Sequence, residues 1–153
     1  MKSVLGTASP RAFGRALLVV SVAALAGCGP KKKIAECQAF VTSINEGVDR
    51  IHKAMGTAPE AGQSVAELRS LATEMDGVGK QTEKVALSIP ELQKFSQRYL
   101  ELTKDIATTA RELADAVDAV DVEKSTKLQA RMDEIVKKED PLVEELNRFC
   151  LSP

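Results

Sequence analysis

The chain is predicted to be all-α, an antiparallel up-down-up-down four-helix bundle with a heptad-spaced core. Three observations predict it. Ala, Glu, Lys, Leu, Gln and Arg dominate the sequence after residue 33, and no run of β-branched residues alternates with period two. Apolar residues recur in steps of three and four through four successive segments, so each segment has one face that must be buried. The connections between segments are short, which makes consecutive helices antiparallel neighbours.

The first stripe runs Ile34, Cys37, Val41, Ile44, Val48, Ile51, Met55. Gly56 can end that helix in a left-handed conformation. Thr57-Ala58-Pro59-Glu60 then fits a capping box, with Thr57 as cap and Glu60 reaching back. The second stripe is Leu68, Leu71, Met75, Val78, Thr82, Val85, Ile89, and Ser88-Ile89-Pro90-Glu91 repeats the capping pattern before the third helix. The third stripe is Leu92, Phe95, Tyr99, Leu102, Ile106, Thr109, Leu113, Ala116, Val120. The fourth is Leu128, Met132, Ile135, Glu139, Leu142, Leu146, Phe149.

The boundary between the third and fourth segments lacks Gly and Pro, so one long helix from 90 to 140 competes with two. Continuing the third register would put Glu123, Lys127, Glu134 and Lys137 on the seam. The apolar residues restart in another phase at Leu128, which argues for a turn near 118–123 with Asp121 as N-cap. Lengths match imperfectly. Cys37 to Gly56 spans about 28 Å, against about 40 Å for the other helices. A break at Gly77-Val78-Gly79, a kink at Pro141 or an overhanging fourth helix is therefore expected.

The amino-terminal segment has a different composition. Lys2, Arg11 and Arg15 precede Ala16–Ala26, which is apolar apart from Ser21, and no acid occurs before Glu36. A basic start, a short apolar run and small residues at its end form a secretory pattern. The run is too short to remain as a membrane span, which needs about 20 residues. Leu25-Ala26-Gly27-Cys28 closes it. This resembles the lipobox of bacterial lipoprotein precursors. The resemblance covers residues 1–28 and implies cleavage between Gly27 and Cys28, with Cys28 carrying the acyl chains that anchor the protein in a membrane. Two or three chains, at about 0.8 kcal/mol per buried methylene, make such an anchor stable. The resemblance divides the chain into a removed signal (1–27), a lipidated basic tether (28–33) and a helical domain (34–153). Gly29, where an Asp favours the inner membrane in well-studied Gram-negative lipoproteins, resembles the outer-membrane class, facing the periplasm.

With Cys28 lipidated, Cys37 and Cys150 remain, one at each end of the domain. An exported compartment favours their oxidation to a disulfide. Up-down-up-down topology brings the start of the first helix and the end of the fourth together, where that bond requires them.

Removing residues 1–27 takes away three basic residues and no acid, so the remaining chain is more acidic than the full chain at net −1. A nucleic-acid binder needs a basic face and often aromatic stacking; neither is offered, so no nucleic-acid partner is expected. His52 is the only histidine. A haem bundle could pair it with Met55 or Met75, but heptad methionines are ordinarily core filler, and no metal or cofactor is expected. No nucleophile–base pair is visible, so no catalytic residue and no enzymatic activity are expected. Acids such as Asp133-Glu134 and Glu144-Glu145 read as a solvated face; Glu139 falls on a seam. Thr82 and Thr109 also fall on seams; they are expected to bond back to helix carbonyls, with a small polar pocket as the alternative. Lys31, Lys32 and Lys33, beside the lipid site, could contact anionic headgroups or simply begin the first helix.

These readings converge on a membrane-anchored, non-enzymatic envelope lipoprotein. Its helical domain would bind an envelope protein or serve structurally at the membrane surface. Two alternatives are a small-ligand carrier and a self-assembling coiled-coil lipoprotein. The second resembles the small wall-linked lipoproteins, which end in Lys, whereas this chain ends Leu151-Ser152-Pro153.

Overall fold

The structure is a computed structural model that describes residues 31–55 and 64–152. Those residues are helical with no strand, in five helices: α1 Lys31–Met55, α2 Val65–Thr82, α3 Pro90–Asp118, α4 Val122–Val136 and α5 Glu139–Leu151. The third and fourth predicted segments are separate helices. Gly27, Cys28, Gly56 and the expected Thr57–Glu60 capping box lie outside the described residues.

Helix α3 is the centre of the bundle and packs against each of the other four. Cross-helix pairs mark which positions on neighbouring helices face each other. On α1 and α2, Gln81 donates to Glu46 at 2.6 Å, and Gly47 lies beside Val78 one turn further on. On α2 and α3, Arg69 meets Asp115 at 3.4 Å and Asp76 meets Arg111. Arg131 of α4 meets Glu112, and Glu145 of α5 meets Arg98. These pairs are exposed and contribute little stability. They report register.

Burial supplies the cohesion. One cluster joins Phe40, Val41 and Ile44 of α1, Leu71, Met75 and Val78 of α2, Leu92, Tyr99, Leu102 and Ile106 of α3, and Ile135, Leu142 and Leu146 of α4 and α5. A second joins Leu68, Leu113, Ala114, Ala116 and Leu128. Burying such a side chain stabilises by about 1.5–3 kcal/mol. The α1–α2 contact is close because Gly47 has no side chain. A Cβ there would come 2.8 Å from Val78 Cγ1. Phe40, only 1% exposed, was not on the expected stripe; the buried face of α1 is wider than a two-position seam.

Several expectations need correction. Ile34 and Val120, assigned to seams, are 46% and 80% exposed. Helix α2 stops at Thr82, not Ile89; the amides of Lys84 and Val85 bond three residues back, tightening the last turn until it ends. Val85, Leu87 and Ile89 pack on the core from the connection. Ser88 does not cap α3. The N-cap is Ile89, with no side-chain cap bond, and Pro90 occupies the first turn. Proline pushes the preceding residue into extended backbone, as Ile89 shows at φ −82°, ψ 120°. The Ser88 amide instead donates to Glu36 Oε2 at 2.8 Å, and its hydroxyl donates to Glu36 Oε1.

Helix α2 is capped by Ser64, whose Oγ accepts from the Glu67 amide at 3.2 Å, while the Ser64 amide donates to the Glu67 carboxylate at 2.6 Å. Ser64 and Glu67 stand at capping-box spacing in the sequence, downstream of the expected Thr57–Glu60 box. Asp121 is the N-cap of α4 as expected, accepting from the Lys124 amide at 3.0 Å. Gly77-Val78-Gly79 does not interrupt α2. The break falls instead at Lys137-Lys138, four residues before Pro141. Pro141 has no N–H for the Lys137 carbonyl, and its ring crowds that carbonyl.

The α3–α4 turn has a Schellman pattern. The Asp121 amide donates to the Ala116 carbonyl at 2.9 Å and the Val120 amide to the Val117 carbonyl at 3.0 Å. The left-handed position belongs to Val120, at φ 56°. Glycine normally fills it, because an L side chain there costs about 1–2 kcal/mol. Val120→Gly should raise the melting temperature by about 3–5 °C in thermal circular dichroism. An unchanged or lower value would contradict strain at this residue.

Candidate functional site

The second turn of α1 and the last turn of α5 are joined covalently. Cys37 and Cys150 form a disulfide, with Cα atoms 5.8 Å apart. Around it, Lys33 Nζ donates to the Ser152 carbonyl and hydroxyl, both at 2.8 Å, and lies 4.5 Å from the centroid of the Phe149 ring. Phe95 of α3 packs on the other side of this region, 5.9 Å from Phe149 between ring centroids. The Glu36–Ser88 bonds bring the α2–α3 connection to the same end.

The three lysines do not form a separate tether; all are in α1. Lys31 and Lys32 are exposed, and Lys33 is turned toward the end of α5. The first turn of α1 holds no acid. Positive charge at a helix N-terminus opposes the helix dipole, so this placement works against α1 itself.

The other polar residues singled out from sequence are dispersed. His52 is exposed. Among the described residues, no group of three or more His, Cys, Asp or Glu could hold a metal ion. Thr82 and Thr109 are fully buried, but neither hydroxyl bonds back to a helix carbonyl, and Ser43 Oγ is also unpartnered. Thr103 alone of the buried threonines makes such a bond, to the Leu100 carbonyl at 3.0 Å. An open groove beside the α2–α3 connection is lined by Val85, Leu87, Gln93, Ser96 and Gln97, with no ionisable side chain.

Exposed apolar residues are more informative. Among the described residues the large exposed hydrophobics are Ile34, Leu151, Val117, Val120 and Val122. Ile34 and Leu151 lie at the disulfide end. The three valines surround the α3–α4 turn, away from the disulfide. None belongs to the middle of a helix. The membrane-distal loop near Gly56–Pro59, expected from the sequence to meet a partner, lies outside the described residues; the 118–123 turn was expected only at the same far end. Val120 was assigned to the core by continuing the register one turn too far.

Glu139 begins α5 and is half-buried. Burial raises its carboxyl pKa above the reference 4.5, and neighbouring Asp140 adds to the rise. Burial also raises the Tyr99 phenol, the Glu139 charge adds to that rise, and Arg50 acts against it. Glu36 moves the opposite way, held below its usual range by the hydroxyl and amide of Ser88.

The signs give a test. Below pH 4.5 Glu139 is protonated folded or unfolded and contributes nothing. As pH rises past 4.5 the unfolded chain ionises first, so stability falls until the folded pKa is passed, and the loss persists at neutral pH. Glu139→Gln should therefore raise the melting temperature at pH 7 and leave it nearly unchanged at about pH 3.5. An equal gain at both values would show that charge burial is not the cause. No protein family, no curated protein and no solved structure matches the chain.

Proposed function

We propose that the chain is a lipid-anchored, non-enzymatic protein of the bacterial cell envelope. The single observation that carries this reading is Leu25-Ala26-Gly27-Cys28 at the end of a basic-then-apolar leader, three residues before α1 begins. Cleavage before Cys28 removes none of the buried residues among those described, which run from Cys37 to Leu146. The Cys37–Cys150 disulfide suits an exported compartment. Gly29 favours the outer membrane, with the domain facing the periplasm.

The helical domain is read as an up-down-up-down bundle whose fourth column is divided at Lys137-Lys138 into α4 and α5. The α1–α2 and α2–α3 pairs run in opposite senses, and along α3 the partner of Arg98 on α5 and that of Glu112 on α4 follow in reverse order, which supports it. In this arrangement the amino-terminal end stands at the membrane and the α3–α4 turn at the far end. Val117, Val120 and Val122 would then be presented to an envelope partner. Their exposure, and the retention of a strained valine where glycine fits, support recognition at this turn.

Expression of the full chain in a bacterium that acylates lipoproteins tests the anchor. Labelled palmitate should enter the wild-type protein, and Cys28→Ser should abolish the label and either release the protein from membranes or leave the longer precursor. Normal processing and membrane retention of Cys28→Ser would contradict the reading.

A further inference from the structure

We infer that the disulfide end of the bundle is a second membrane contact, a surface that docks on anionic phospholipid independently of the acyl chains. Three observations meet there. Lys31 and Lys32 are exposed in the first turn of α1, and Arg148 is exposed in the last turn of α5. Ile34 and Leu151 lie on those same two turns, 46% and 72% exposed. The Cys37–Cys150 bond and the Lys33–Ser152 bonds hold the two turns together. Cations interleaved with exposed apolar side chains are the chemistry of a membrane interface, where the apolar groups enter the acyl boundary and the cations meet phosphate.

The cost of this arrangement points the same way. Lys31 and Lys32 stand at the positive end of the α1 dipole, where acids would stabilise the helix. A partner that supplies negative charge reverses that penalty. Acids share this end: Glu36 stays charged under its bonds from Ser88 and Ile89 and partly offsets Lys32, and Glu83 and Glu91 flank the α2–α3 connection, so Lys31 and Arg148 beside Ile34 and Leu151 carry the patch.

Cys28 is three residues before Lys31 in the sequence, so their Cα atoms are at most about 11 Å apart. That a lipid stands at this distance rests on the lipid-anchor reading; the surface chemistry does not.

The test separates the two. A chain beginning at position 28 and carrying Cys28→Ser keeps the whole core and has no lipid. It should sediment with vesicles of phosphatidylcholine and phosphatidylglycerol, and not with phosphatidylcholine alone. Binding should disappear at 1 M salt, where the screening length falls to about 3 Å. Lys31→Glu with Lys32→Glu should weaken binding by at least about tenfold. The same pair should raise the melting temperature, since both changes favour the helix dipole. Lys124→Glu with Lys127→Glu, on α4, should leave binding unchanged. Three results would overturn the proposal: no preference for anionic vesicles, binding that resists salt, or equal losses from the α1 and α4 pairs. Vesicle binding in a protein that takes up no palmitate would remove the anchor and leave this surface standing.

Discussion

The covalent tie between Cys37 and Cys150 is the constraint on which the rest of the structure depends. It closes a loop of 113 residues, nearly the whole helical domain. On the chain-entropy account such a closure stabilises by about 4–5 kcal/mol, a large share of the stability of a domain this size. It also fixes the topology at one end. The start of α1 and the last turn of α5 must meet, and the contacts of Lys33, Phe149 and Ser152 follow from that meeting. The connection between α2 and α3 is drawn to the same place by Glu36.

Away from the disulfide the bundle is held by ordinary means and is packed less evenly. The second apolar cluster involves α2, α3 and α4 but no described residue of α1. Alanines at 107, 110, 114 and 116 keep the buried face of α3 thin, so its neighbours approach closely. Three buried hydroxyls, those of Ser43, Thr82 and Thr109, find no partner, and each unmade hydrogen bond costs about 1–3 kcal/mol. Val120 stores further strain at the α3–α4 turn. The tie at one end therefore supports a structure with several local weaknesses.

Much of the fold was legible because helix periodicity is a long-range signal. The stripes through Val41–Ile51, Leu68–Val78, Leu92–Ala116 and Leu128–Ile135 placed four segments, and Asp121 marked the turn between two of them. The errors fell where one residue type can serve two purposes. Val85 and Ile89 are apolar at helical spacing, yet they reach the core from the α2–α3 connection beside Pro90. Ser88 fits a capping box, yet a longer-range partner, Glu36, takes its hydroxyl. Pro141 is a source of bending, but its effect falls at Lys137, whose carbonyl it has no N–H to meet. The paired cysteines of the disulfide end could be read from sequence once Cys28 was set aside. The exposed character of Ile34 and the valine turn could not, because exposure depends on where neighbouring helices end.

The account makes the disulfide the element that holds both ends of the domain in register, so its removal is the most direct test. Thermal unfolding of the chain from position 28 should be compared with that of the Cys37→Ser, Cys150→Ser double variant under identical conditions. The account predicts a cooperative transition in both, with the melting temperature of the variant lower by on the order of 10–20 °C. An unchanged melting temperature would show that packing alone fixes the ends, and that the disulfide is incidental to the fold.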